Sequence, residues 1–472
     1  MYPSISFRDP AGYLVTKNDR IFRIISAESA EDLKVFLKTE AAARYLESGG
    51  IASSSFVDPS ACSEVGLSEL NDGISSVVVE HKRIRFVSYP YEWPPEMLYA
   101  AASLTLNLSA DIRVEGFGLK DATPYNILFE GAKPVFVDLP SFERRDPHDP
   151  TWLPYAQFIR TFLLPLLLNK HFHLSISDLL INNRDGIEPE QVYSMLGLRQ
   201  KLKLEFLSVA TFPTWLGAKK VKKDETQIYV KRSLPNEEKV GFILDRLLKS
   251  LKRRLKRAQP RARESAWTNY MDQNRYTDQY FPEKEKFVRD ALVEAKPEAV
   301  LDVGCNTGFF SELAANLGAR VVAIDSDDAV VGRLWERARS ANLDIQPLVV
   351  DLSRPTPATG WRNEECSSFL DRARASFDAV LMLAVIHHML VTERIPLKEI
   401  FKLASELTKS ILIVEFISPS DPMFKTIARG RDELHKDLTI EHFEQTALQF
   451  FEIIRSYRLG DSSRWIYLMK KS

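Results

Sequence analysis

The chain has 472 residues, with 63 basic and 64 acidic side chains and a formal net charge of −1. At roughly 150 residues per domain, that length provides for two or three domains, each large enough for its own core. A hydrophobic share of 45% and a charged share of 27% are ordinary for a globular protein. The near-neutral balance excludes a global field that would draw the chain to nucleic acid or a membrane. Cys62, Cys305 and Cys366 are far apart and odd in number, which argues against a disulfide framework and fits a reducing compartment. The start, MYPSISFRDP, has no basic region followed by an apolar stretch, so no signal peptide is expected. The longest apolar run, 162–168, is too short to span a bilayer and contains Pro165. These features predict a cytoplasmic enzyme.

Taken in chain order, Gly12 to Val15 and Arg20 to Ile25 alternate around a Lys-Asn-Asp turn and predict a hairpin. A helical pattern over 29–47 stops at Gly49-Gly50. Val77 to Val79 and Ile84 to Val87 predict strands, and Pro94 to Leu108 predicts a helix. Two short strands, Asn126 to Phe129 and Pro134 to Val137, flank a turn, and 151–215 is helical and apolar. Between Leu244 and Arg263 stand nine Lys or Arg and one acid. Leucines at 244, 247, 248, 251 and 255 lie on one helix face, which predicts a basic amphipathic linker helix. Such a helix either packs its apolar face on a domain or touches an anionic surface. From 265 onward, five apolar strands (299–303, 320–324, 347–350, 379–383 and 410–415) alternate with helices, which implies a parallel sheet covered on both faces. FEIIRSYRL and RWIYLMKK, joined by Gly-Asp-Ser-Ser, predict a terminal antiparallel hairpin. The expected domains are 1–215 (α+β), a basic linker at 216–264, and 265–472 (α/β, doubly wound).

The strongest motif is Val300-Leu-Asp302-Val-Gly304-Cys305-Asn306-Thr-Gly308-Phe-Phe310, a buried strand running through a glycine turn into a helix. Glycines at 304 and 308 let a ligand lie against the backbone, and the helix amino terminus offers free N–H groups. Asp325 ends the next strand, 21 residues after Gly304, where a carboxylate can accept both hydroxyls of a ribose. A dinucleotide fingerprint would need glycine at 304, 306 and 309, and positions 306 and 309 are Asn and Phe. The pattern D-x-G-C-N-T-G resembles motif I of class I methyltransferases, whose ligand has a ribose but no phosphate. The resemblance implies S-adenosyl-L-methionine as cofactor. It places Asp302 near the methionine amino group, Gly304, Cys305, Asn306 and Gly308 along the methionine, Asp325 on the ribose, and Asp351-Leu352 by the adenine. It also implies a seven-stranded Rossmann-like sheet that ends in the hairpin.

The fourth strand leads into His387-His388, beyond the carboxyl edge where doubly wound sheets bind ligands. Imidazole ordinarily titrates near neutrality, so either histidine could take a proton from an acceptor. Equally, both could only shape the pocket, because methyl transfer needs little beyond alignment. Trp267-Thr-Asn-Tyr270 and Tyr276 to Tyr280 could lid the sulfonium with ring faces or simply pack a helix. The stretch from Glu415 to Asp437 is a long insertion and the natural acceptor loop.

In the first half, Asp121 and Asn126 have the Asp-x-x-x-x-Asn spacing, and Asp138 follows a short strand. This resembles the catalytic loop of aminoglycoside-phosphotransferase-type kinases, in which Asn126 and Asp138 would hold magnesium. Leu119 stands where that family has histidine, and no phosphate-cradling glycine loop precedes it. The leading reading is methyl transfer to a small-molecule or saccharide acceptor bound or presented by the amino-terminal domain. The rivals are a bifunctional kinase and methyltransferase acting on a glycan, and an RNA methyltransferase. Against the second rival, no RNA-binding module is recognisable, and no Asn-Pro-Pro-Tyr-like motif follows the fourth strand.

Overall fold

The computed structural model describes residues 12–64, 66–67, 76–220, 233–261, 263–265 and 280–472. It divides into two compact units. The first is Met1–Tyr91, Pro95–Arg261 and Gly360–Glu365; the second is Glu92–Pro94, Ala262–Thr359 and Cys366–Ser472. Among the described residues, no helix is long and apolar enough to cross a membrane.

The first unit opens with strands β1 (Gly12–Lys17) and β2 (Arg20–Ser26), paired antiparallel. Asn18 and Asp19 both have positive φ, the geometry of a two-residue turn that matches the twist of a hairpin. With β3 (Ser54–Phe56) and β4 (Ser76–His81) they form a sheet of order β1-β2-β4-β3. Phe22, Ile24, Val15, Val78, Cys62 and Leu67 make its apolar core. The single helix expected over 29–47 is two, Ala27–Phe36 and Glu40–Ser48. Thr39 breaks the run because its side chain caps the second helix, accepting from Ala42 N–H. Residues 84–87 form no strand; their apolar side chains Ile84 and Phe86 are buried from a loop instead. The helix predicted from Pro94 extends over Pro95–Val114. Then come β5 (Phe117–Leu119), β6 (Ile127–Glu130), β7 (Lys133–Phe136) and β8 (Phe142–Arg144). The basic helix spans Glu237–Arg257 and falls in the first unit. It buries Val240, Leu244, Leu248, Leu251 and Leu255 there, and Arg113 of helix Pro95–Val114 pairs with its Asp245.

The second unit is built on β9 (Ala299–Val303), β10 (Arg320–Asp325), β11 (Ile345–Val349), β12 (Phe377–Met382), β13 (Thr408–Ile417), β14 (Phe451–Arg458) and β15 (Arg464–Lys471). Their order is β11-β10-β9-β12-β13-β15-β14. The first five strands pair in parallel, and β15 runs antiparallel to both β13 and β14. Each of the five predicted strands is present, and the terminal hairpin closes the edge. Asp302 faces Ala323 on one side and Leu381 on the other, so the carboxyl ends of β9, β10 and β12 lie level. The strand order reverses at β9, the point at which such sheets bind ligands.

Candidate functional site

Asp302 is buried at the end of β9, and its Oδ2 accepts from the Ser311 hydroxyl at 2.5 Å. Burial pushes its carboxyl up to about 7; the nearby Asp325 adds to the shift, and the Ser311 bond and Lys284 oppose it. The turn is held by Gly304 N–H and Cys305 N–H, which donate to the Ile324 carbonyl at 2.8 and 3.0 Å. The Cys305 thiol is buried and pushed well up by that burial. Asp325 ends β10 and accepts from Asn306 N–H at 2.9 Å on one oxygen and from Asp327 N–H at 3.0 Å on the other. A carboxylate accepts about four hydrogen bonds, and backbone N–H groups of Asp327, Asn306 and Ser326 already bear on this one. Burial raises the Asp325 carboxyl too. The backbone also ties Asp325 to the end of β11, where Val350 N–H donates to the Asp325 carbonyl at 2.9 Å. Asp351 accepts from Ser353 N–H and pairs with Arg354, and Leu352 beside it is buried.

The glycines serve the protein itself. Gly304 has φ +68°, and a Cβ there would lie 2.4 Å from Cγ2 of Val385, in the turn after β12. Gly308 has φ +86°, and its Cβ would lie 2.2 Å from Leu334 on helix Asp328–Ser340. Val385 and Leu334 thus fill the direction a Cβ would take at these two glycines. Gly304→Ala is expected to lose about 1–2 kcal/mol from the left-handed backbone and about 1–3 kcal/mol from overpacking. Donor affinity should fall with it. Adding Val385→Ala should recover the packing part alone, read as thermal midpoints of the single and double variants. A single variant as stable as the parent would contradict this packing.

His387 is buried on helix Ile386–Val391, directly after β12, with its ring 4.3 Å from that of His388. Its Nδ1 is buried and has no hydrogen-bond partner among the described residues. Burial, then the charges of His388 and Arg464, push His387 down to about 3; burial also lowers His388. The expectation of titration near neutrality is therefore corrected for His387, which stays neutral and able to accept a proton well into acid. If it is the base, turnover at saturating donor should be level from about pH 8 to 5, and His387→Ala should lose about 10²–10⁴. A decline centred near 6.5 in kcat would count against it. The folded-state pKa lies below the unfolded one, so the unfolded chain takes up the proton first, and this histidine removes stability as the pH falls from about 6.5 toward 3.

A buried charge network beside this histidine escaped the sequence reading. Lys284 Nζ donates to Glu415 Oε2 at 2.5 Å, and Glu415 is 1% exposed at the end of β13. Arg464 Nε donates to Asp421 Oδ2 at 2.9 Å, and its other nitrogen stands 3.8 Å from Glu415 Oε1. Burial alone would raise the Asp421 carboxyl, but Arg464 and the N–H groups of helix Pro422–Ala428 hold it below the usual range. The signal was in the run Ile411-Leu-Ile-Val-Glu415-Phe-Ile: a lone acid inside a strand buried on both faces needs a cation. Of the aromatics predicted to lid the donor, Tyr280 is described, and 266–279, with Trp267, Tyr270 and Tyr276, lie outside the described residues.

In the first unit, Asp121, Asn126 and Asp138 gather at one end of the β6–β7 hairpin. Asp121 N–H donates to Ser141 Oγ at 3.3 Å, and Val137 N–H to the Asn126 carbonyl at 2.9 Å. The cation on Asp138 is Arg23 of β2, whose Nη1 donates to Oδ1 at 2.8 Å and which is itself 6% exposed. Lys17 donates to the Gly66 carbonyl, and Lys82 pairs with Glu130. Among the described residues, no three His, Cys, Asp or Glu converge to hold a metal.

Residues 301–406, which include Asp302, Gly304 and both histidines, match the model of the methyltransferase-domain family. This part of the chain is a methyltransferase domain. Over 474 aligned residues, the chain is 28% identical to nodulation protein NoeA of Rhizobium meliloti (strain 1021), covering 99% of this chain and 95% of that one. It is 31% identical over 106 residues to a ubiquinone biosynthesis O-methyltransferase of Caulobacter vibrioides, covering 22% of this chain and 36% of the relative. Among solved structures, N-methyltransferase NodS from Bradyrhizobium japonicum WM9 aligns at 13% identity over 41% of this chain and 96% of its own, with a TM-score of 0.31. The bifunctional kinase-methyltransferase WbdD aligns at 21% identity over 41% of this chain and 39% of its own, with a TM-score of 0.28.

Proposed function

We propose that the chain transfers the methyl group of S-adenosyl-L-methionine to a small-molecule or saccharide acceptor. The carrying observation is the pair of carboxyls at the sheet's switch point, buried Asp302 on β9 and half-buried Asp325 on β10. Asp302 would pair with the methionine ammonium, and Asp325 would take the ribose diol. Asn306, Cys305 and the two glycines would shape the methionine side, with Asp351 and Leu352 by the adenine. The donor carries its own activation as a sulfonium, so the protein need only align the acceptor and, for a hydroxyl or ammonium, accept a proton. His387 is a weak base, and its buried Nδ1 has no hydrogen-bond partner among the described residues, so it would take up a proton only from an acceptor that methyl transfer has made strongly acidic; His388 lies against it.

The near-full-length likeness to a nodulation protein and the shorter one to an O-methyltransferase of ubiquinone biosynthesis support a small-molecule or saccharide acceptor. On this reading the first unit binds or presents that acceptor, and the Arg23–Asp138 pair speaks against magnesium there. The test incubates the full chain with methyl-labelled donor and fractionated bacterial metabolites and glycans. Label should pass to one small-molecule or saccharide fraction. Label that passes to RNA alone, or to nothing while S-adenosylhomocysteine also fails to bind, would refute the proposal.

A further inference from the structure

Within the second unit, a cavity of about 260 Å³ opens at the end of the helix that carries His387 and His388. Its walls come from the turn after that helix and from the insertion after β13, the two segments that flank the reacting edge of the sheet. Leu390 and Ile395 supply apolar floor, and Leu434 stands at the wall 75% exposed. The polar groups are Arg394, Arg431 and His435, and among the described residues the lining holds no carboxylate. Neither guanidinium has an ion pair or hydrogen bond among the described residues, whereas neighbouring Arg354 is taken by Asp351 and Glu393 and Arg464 by Asp421. His435 stands edge-on to the buried Phe424 ring at 5.5 Å, which places it at the wall. An α-helix rises about 1.5 Å per residue, so Leu390 lies about 5 Å along the axis from His387.

We propose that this cavity is the acceptor subsite and that it takes an anionic oxygen group, a carboxylate or phosphoryl, on a sugar-sized acceptor. The inference rests on the methyl-transfer reading and narrows its acceptor class. Two planar guanidiniums with no partner of their own present paired donors that fit such a group, and the apolar floor accommodates a ring face. The cavity opens at the end of the helix that carries both histidines, which puts it on the reacting side of the sheet.

The test is an NMR titration of the full chain with glucose 6-phosphate, glucuronate and neutral glucose. At least one anionic sugar should bind more tightly than glucose, and which one binds tells phosphoryl from carboxylate. Arg394→Ala and Arg431→Ala should each weaken that sugar about tenfold, and the lysine variants, which keep the charge but lose the paired donors, should fall between alanine and the parent. S-adenosylhomocysteine affinity should stay unchanged in all of them, which also shows that they fold. Equal binding of glucose, no binding of either anionic sugar, or full affinity in both alanine variants would overturn the subsite. Failure of S-adenosylhomocysteine to bind the parent protein would instead overturn the donor reading, while the sugar titrations still decide the cavity.

Discussion

Replacing Asp325 by alanine is expected to weaken S-adenosylhomocysteine binding by two orders of magnitude or more in calorimetry. Two hydrogen bonds from a ribose diol to a carboxylate are each worth about 1.5–3 kcal/mol, and both are lost together. The variant also frees the Asn306 and Asp327 N–H groups that Asp325 now holds, so the glycine turn loosens at the same stroke. Asp325→Asn separates the two effects. The amide keeps one acceptor oxygen and much of the turn but loses the charge, so its loss should be intermediate. Donor affinity within threefold of the parent in the alanine variant would remove Asp325 from the site.

The second large effect should come from Glu415. Alanine there leaves the Lys284 ammonium, 14% exposed, beside Arg464 without its carboxylate. Removing one partner of a buried pair costs about 3–5 kcal/mol, which for a unit of this size is a fall in thermal midpoint of about 10 °C. Replacing both members, Lys284→Met with Glu415→Leu, should restore most of that stability, because the desolvation of two charges goes with them. Turnover should not recover in the double variant, since the network borders His387. A midpoint shift under about 2 °C in Glu415→Ala would show that the pair does not form.

The methyltransferase half was largely legible because its signals are local. Strands buried on both faces read as short apolar runs, and the glycine turn with Asp325 has a fixed spacing. What was not legible depends on partners far apart in the chain. The glycines read as room beside the backbone, and only the fold shows that Val385 and Leu334 occupy the direction a Cβ would take. Neutral pH titration was the natural expectation for His387, and only burial beside Arg464 overturns it. Lys284, Glu415, Asp421 and Arg464 come from four separate elements, so no spacing rule joins them. In the first half, the acid and amide spacing was visible at 121 and 126, but the engagement of Asp138 by Arg23 joins positions 115 residues apart.

On the methyl-transfer reading, the raised Asp302 carboxyl gives the donor site a further property. A carboxyl held at about 7 is partly protonated near neutral pH, so pairing with the methionine ammonium means giving up that proton. Below pH 7 the proton competes, and donor affinity should drop about tenfold per pH unit, while kcat at saturating donor stays level. Titrations in buffers of different ionisation enthalpy should register close to one proton released per donor bound in mildly acid solution and almost none above pH 8. The protein would then act as a proton-exchange gauge: in an acidifying cell it would lose its grip on the methyl donor before it lost any capacity to use it.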